Sequence, residues 1–425
     1  MTHVRANMAY FKSEGNHDIV SYMDDGYAKF GRLLREQGYS TEAETLQIEV
    51  LDKRNTILGV EHQDTINAMA SLATTNGDLG RYKEAEKLEI QVLDARNRIL
   101  GAEHPDTIRA MGNLAATYHN QGKYIEAEKL EIKVLDAKNR ILGVEHPDTI
   151  NTMGNLATTY HSLGKYTEAE NLKIKVLDAK NRILGVEHPG TILSMENLAS
   201  TYGNLGKYKE AEKLEIQVLD ARMRILGVEH PDTIFAMGNL AVTYYDLEKY
   251  IEAEKLEIQV LDARNRILGV EHPGTLLAMG NLAATYRNLG KYKEAERLGI
   301  QVLDARNRIL GMDHPDTIRA MANLAATYYS LEKYAESERL EIQVLDARNR
   351  ILGMEHPDTI RAMANLAATY YSQAKYTESE KLDIQVLDAK NRILGLKSQY
   401  TIPTMANVQE AQVTSIMNVN KKGVY

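Results

Sequence analysis

The residues best equipped for chemistry recur as a phrase, Glu-His-Pro-Asp-Thr, which stands at Glu103 to Thr107. It places an imidazole between two carboxylates, side chains that bind divalent metals or carry protons. Its histidine returns at His62, His104, His146, His188, His230, His272, His314 and His356, always 42 residues apart. A metal centre needs several ligands converging on one point, with hydrogen bonds orienting them. One histidine held between a glutamate and a proline offers poor geometry for that. The competing reading is a helix start. Pro105 suits a first turn, where its missing N–H is not needed, and Asp106 sets a negative charge at the positive end of the helix dipole. We read the phrase as scaffold, with metal binding as the sharper alternative.

Other chemistry is hard to find. There is no Gly-rich phosphate loop, no His-Glu-x-x-His and no Gly-x-Ser-x-Gly. The absence of cysteine excludes disulfides, thiolate metal sites and cysteine nucleophiles. Paired acids such as Glu126 and Glu128 repeat on each unit and read as solvated charge. No catalytic residue, metal or cofactor is expected, and the chain does not read as an enzyme.

The elements that position these residues follow from glycine and apolar spacing. Gly122 ends a first helix, and a second runs through Glu-Ala-Glu-Lys-Leu-Glu-Ile-Lys-Val-Leu-Asp-Ala-Lys-Asn-Arg-Ile-Leu to Gly143. Met111, Leu114, Ala115 and Tyr118 recur at three- and four-residue steps, as do Ala127, Leu130 and Val134, so both stretches are helical. Period-two alternation is missing, and the fold class is all-α. A repeat of fixed period signals stacking, because one helix pair cannot bury its apolar face alone.

The repeat divides the chain. Residues 1–17 are an N-terminal extension. Residues 18–58 are a degenerate first helix pair, in register through Gly38-Tyr39 and Glu42-Ala43-Glu44. Residues 59–395 hold eight repeats of 42 residues. Residues 396–417 keep Met405 and Asn407 in register and are expected to form a capping helix over an otherwise exposed apolar edge. Residues 418–425, with Lys421 and Lys422, are expected to fray. The formal net charge of −8 is spread as interleaved acids and bases, which argues against nucleic acid as a partner. The N-terminus is not a signal peptide, and no apolar run reaches membrane-spanning length, so no membrane partner and a cytoplasmic location are expected.

The pattern Leu-Ala-x-x-Tyr followed by Gly-x-Tyr-x-Glu-Ala-Glu resembles the tetratricopeptide repeat. The 42-residue period and the Leu-Gly-x-x-His-Pro-Asp-Thr linker resemble its kinesin light chain class. The same class forms receptor tails of STAND-type signalling ATPases, with a similar second helix. The resemblance covers roughly residues 18 to 410. It implies a right-handed α-α superhelix of about nine helix pairs plus a C-terminal capping helix, with first helices lining a concave groove. A kinesin light chain carries a heptad coiled coil before its repeats. Only 17 residues precede this array, and no Walker-type loop is present. A cargo adaptor or the sensing half of a STAND-type receptor therefore stand as alternatives to a general scaffold.

Comparing the repeats with one another locates the positions free to carry function. Differences gather on the first helix. The Arg109 place holds Asn67, Asn151, Leu193, Phe235, Leu277, Arg319 and Arg361 elsewhere. The His119 place holds His161, Gly203, Tyr245, Arg287, Tyr329 and Tyr371. At ~100° per residue these lie away from Met111, Leu114, Ala115 and Tyr118. One place on the same face stays constant: Asn113, Asn155, Asn197, Asn239, Asn281, Asn323 and Asn365. An amide carries donors and an acceptor, so a row of them can pair with a peptide backbone whatever its side chains. Such a row resembles the asparagine ladder of kinesin light chain grooves. The alternative is that each amide bonds a neighbouring helix.

Around this row, Arg109, His119 and His161 make the N-terminal part polar and partly basic. Leu193, Phe235, Val242 and Leu277 make the middle apolar. Tyr245, Arg287, Arg319, Tyr329, Arg361 and Tyr371 make the C-terminal part aromatic and cationic. The expected partner is a protein or peptide segment with an apolar middle and an acidic or phosphorylated flank. Tyr124, Tyr166, Tyr208 and Tyr250 at the turns, and the methionine row, read as packing.

Overall fold

The computed structural model describes residues 17–394. Those residues form eighteen helices and no strand. They fall into two compact units that meet in sequence at Lys207 and Tyr208. Unit 1 contains α1 (His17–Glu36), α2 (Ser40–Leu58), α3 (Gln63–Asp78), α4 (Tyr82–Leu100), α5 (Pro105–Asn120), α6 (Tyr124–Ile141), α7 (Pro147–Ser162), α8 (Tyr166–Leu184) and α9 (Pro189–Asn204). Unit 2 contains α10 (Tyr208–Leu226), α11 (Pro231–Asp246), α12 (Tyr250–Leu268), α13 (Pro273–Asn288), α14 (Tyr292–Leu310), α15 (Pro315–Ser330), α16 (Tyr334–Leu352), α17 (Pro357–Ser372) and α18 (Tyr376–Leu394). The expected capping helix 396–417, the tail 418–425 and the extension up to residue 16 lie outside the described residues.

The histidine phrase acts at the start of each first helix, by a device the sequence reading did not foresee. The ring Nδ1 of His104 accepts a hydrogen bond from the Asp106 backbone N–H at 3.1 Å. His146, His230, His314 and His356 repeat the bond, and His188 and His272 receive it from Gly190 and Gly274. The imidazole thereby satisfies one of the donors a helix leaves open at its N-terminus. Among the described residues, no three His, Asp or Glu side chains gather as metal ligands would.

At the other end of these helices the chain reverses through a left-handed residue. Gly122 holds φ +75°. Its neighbour Lys123 donates its N–H back to the Tyr118 carbonyl at 2.9 Å, which closes a Schellman-type cap. Glu248, Glu332 and Ala374 occupy the same turn at φ 58°, 57° and 59°, conformations that a side chain resists.

Within each unit the second helices pack on their own partners and, where another repeat follows, on its first helix, as α6 does on α5 and α7. Small residues set the spacing: Ala115 and Ala127 are fully buried, and Leu114, Val134 and Ile108 fill the remaining space. Two rows of ion pairs then run along the stack. Lys123 pairs with Glu86, Lys165 with Glu128 and Lys207 with Glu170, at 2.7 to 2.8 Å. Each lysine also faces the tyrosine ring before its turn, as Lys123 does at 5.3 Å from the centre of Tyr118. Unit 2 repeats the row from Lys249–Glu212 to Lys375–Glu338. A second row joins Arg98 to Glu61, Arg140 to Glu103 and Arg182 to Glu145. Glu128, read from sequence as merely solvated, is a bond between repeats.

Candidate functional site

The face of the first helices turned away from the apolar packing is open. Asn113, Asn155, Asn197, Asn323 and Asn365 are exposed, and Asn239 and Asn281 half-buried. Among the described residues none of these seven amide side chains is spent on a hydrogen bond within the chain. The second helices form the floor between successive first helices, and this arrangement leaves a cavity in each unit.

In unit 1 a cavity of about 500 Å³ lies between α5 and α7 over α6. Asn113 and Asn155 line it, with Arg109, Lys138, Glu131 and Ile141. In unit 2 a cavity of about 650 Å³ is lined by Asn323 and Asn365 together with Arg287, Arg319, Arg348 and Arg361. The apolar rim of this second cavity is Ile351 and Leu352. Asn197, Asn239 and Asn281 are not part of either wall. Phe235, expected in the apolar stretch, is 52% exposed, which leaves it available for contact.

Several expected contact residues are already engaged. Arg109, Arg319 and Arg361 each bond the aspartate three residues earlier, Asp106, Asp316 and Asp358, at 2.6 Å. His119 meets the Thr159 hydroxyl at 3.1 Å and stands edge-on to Tyr124, with ring centres 5.1 Å apart. His161 does the same with Thr201 and Tyr166. Burial holds both histidines below the usual imidazole range, and Lys173 adds to this for His161. They are therefore neutral near pH 7, and the basic character expected of them is absent. The Tyr245 hydroxyl accepts from the Asn288 amide at 2.8 Å, and Tyr329 shares a bond with Ser372 at 3.0 Å. Tyr371 stands edge-on to Tyr376 and remains 39% exposed. At His119, His161, Tyr245 and Tyr329 this place thus ties one first helix to the next.

Two functional-looking rows escaped the sequence reading because they lie on the second helices. In the first, Arg348 donates to the Asp358 carbonyl at 3.0 Å, and Arg96, Arg264 and Arg306 repeat this ten residues before their acceptors. Lys138 takes the role in its repeat, reaching the Asp148 carbonyl at 3.2 Å and Thr152 at 2.9 Å. Burial pulls the Arg348 guanidinium below the usual arginine range, with Asp358 opposing that and Arg361 adding to it.

The second row is acidic. Glu89, Glu131 and Glu257 are buried, and burial pushes their carboxyls up to about 7, although the nearby hydroxyls of Thr117, Thr159 and Thr285 favour the charged form. In one repeat Lys173 stands at this place, bonded to Thr201 at 2.7 Å and to the Asn197 carbonyl at 3.0 Å, and burial lowers it to about 8. The sequence signal was available: Ala127, Glu131, Val134 and Lys138 follow at helical spacing on one face.

The tetratricopeptide repeat family matches residues 26–98, 78–140, 106–182, 148–223, 191–266, 232–307, 274–350 and 329–392. Among curated proteins none matches the sequence. Of solved structures, the apo form of the quorum sensor NprR from B. thuringiensis is 15% identical, with 88% of this chain and all of that chain covered at a TM-score of 0.60. The STAND protein PH0952 from Pyrococcus horikoshii, which carries a tetratricopeptide repeat sensor, is 15% identical over 82% of this chain and 52% of that one, with a TM-score of 0.51. Nearly identical repeats assigned to a kinesin light chain of Podosopora anserina are 29% identical over 48% of this chain and 97% of that one, at 0.44.

Proposed function

We propose that this chain, which belongs to the tetratricopeptide repeat family, is a non-catalytic scaffold that binds an extended peptide or protein segment along its first helices. One observation carries the reading: the asparagine row keeps its place through seven repeats, is exposed or half-buried, and among the described residues makes no side-chain hydrogen bond within the chain. A polar side chain with no bond inside the chain and constant position is the kind that bonds a partner's backbone. The exposed Phe235 and Leu277 of unit 2 suit an apolar stretch of the segment. The arginines of unit 2 suit its acidic or phosphorylated flank.

The test is a peptide array probed with the full chain and with the Asn323→Ala, Asn365→Ala double variant. Capture that falls about tenfold while the melting curve stays in place supports the reading, since tenfold is the loss of one or two ordinary bonds. Unchanged capture, or a large fall in melting temperature, assigns those amides to the fold and overturns it.

A further inference from the structure

The variable arginines are not scattered. Among near-identical repeats, Arg287, Arg319 and Arg361 fall in three successive ones, and all three line the unit 2 cavity. Arg109, the unit 1 counterpart of Arg319 and Arg361, stands among neighbours Asn67 and Asn151, and Arg287 takes the place that His119 holds. The cavity adds a fourth arginine, Arg348, from the second-helix row. Against these four cations stand two carboxylates, Asp316 and Asp358, which leaves a net charge of two.

The pairing inside the cavity says which cations are available. Arg319 and Arg361 are each held at 2.6 Å by Asp316 and Asp358. Among the described residues Arg348 hydrogen-bonds a backbone carbonyl, through one terminal nitrogen at 3.0 Å, and forms no ion pair within 4 Å. Arg287 is half-buried and has no ion-pair partner among the described residues. The unit 1 cavity lined by Asn113 and Asn155 is different. There Arg109 and Lys138 face Glu131 and Asp148, so the formal charges balance, with Glu131, raised to about 7, carrying only part of its charge near neutral pH.

We infer that the unit 2 cavity is a subsite for a dianion, held by Arg287 and Arg348 rather than by the two arginines already tied to aspartates. A phosphoryl group or two adjacent carboxylates has the matching charge, and a guanidinium presents a fork suited to either. The inference deepens the proposed binding of a peptide segment by naming the chemistry that one part of that segment carries. It also gives the second-helix row a role in that repeat which Lys138, holding its own carbonyl and Thr152, does not share.

The probe is inorganic pyrophosphate, titrated into the full chain by calorimetry at constant ionic strength. A peptide array in which each segment occurs plain, phosphorylated and with two added glutamates accompanies it. Arg287→Met is expected to weaken pyrophosphate about tenfold, the loss of one charge-assisted bond. Arg140→Met, in the exposed ion-pair row of unit 1 and outside either cavity, should leave it unchanged. Arg348→Met should also weaken it, and Arg348→Lys, which keeps the carbonyl bond as Lys138 does, should recover part of the loss. Preference for the phosphorylated series identifies a phosphoryl source, and preference for the glutamate series a carboxylate pair; both support the subsite. Pyrophosphate binding with no peptide captured supports the subsite and removes the peptide reading. Affinity unchanged by Arg287→Met, or no binding of pyrophosphate or acidic peptide, overturns the inference.

Discussion

The ammonium of Lys165 lies 2.7 Å from a carboxylate oxygen of Glu128, thirty-seven residues earlier in the chain. The pair bridges two repeats, and the Tyr160 ring lies beneath the same lysine at 5.5 Å. Both partners reach solvent, so the attraction is screened by salt. Replacing Lys165 and Lys207 by methionine is expected to lower the melting temperature of the chain slightly in dilute buffer. The difference from the parent should shrink as sodium chloride rises toward 1 M, where screening is nearly complete. Thermal melts of both chains across a salt series check this, and a salt-independent difference would assign the effect to packing.

Three turns of unit 2 carry side chains where the others have glycine. Glu332 holds φ 57°, and Glu248 and Ala374 are alike. A side chain there costs about 1 kcal/mol or more, and glycine returns some of it as chain entropy. Glu332→Gly is expected to stabilise by about 0.5 to 1 kcal/mol, and the three changes together by about 2. Urea titration reads the gain, and a loss of stability from the triple change contradicts the argument.

Stability should fall as pH rises from about 4.5 to about 7, through the buried glutamates. Glu89, Glu131 and Glu257 are raised from 4.5 in the open chain to about 7 in the fold, so the folded state binds more protons across that window. Their contribution is complete below 4.5 and lost once pH has passed 7. Glu131→Gln keeps the shape without the charge and should flatten part of the slope and raise the melting point at pH 8. Melts of the two chains between pH 5 and pH 8 measure it; parallel curves would refute the assignment.

The histidine caps make a separate prediction. His230 accepts the Asp232 N–H at 3.2 Å through its side chain alone. His230→Ala is expected to cost about 1 kcal/mol, and His230→Asn, which restores an acceptor, to cost less. Chemical denaturation of the three chains orders them, and equal losses from alanine and asparagine would show that the ring acts by packing.

Much of this architecture was legible before any coordinates. Gly122 and Pro105 mark helix ends by what their backbones allow, and Leu114 with Ala115 marks the buried face by spacing. The asparagine row was legible for the same reason, since Asn113 falls on the opposite side of the helix. What could not be read was which neighbour meets that face. His119 is tied to Thr159 and Tyr245 to Asn288, partners 40 and 43 residues on. Periodicity tells the direction a side chain takes, not the atom waiting there. Arg109 was closer to hand, because Asp106 lies one turn back on the same helix. Arg348 was passed over because its helix had been assigned wholly to packing.

The ion pairs that reach thirty-seven residues forward give this chain an unusual tolerance in its length. Inserting or excising one whole block of forty-two residues moves donor and acceptor together, so every lysine still finds a glutamate. A break of any other size strands the ion pairs that span it, while each histidine cap, closed within two residues, stays in place. Gene copies that recombine out of step by whole blocks would therefore yield chains of different repeat number that keep both rows of ion pairs.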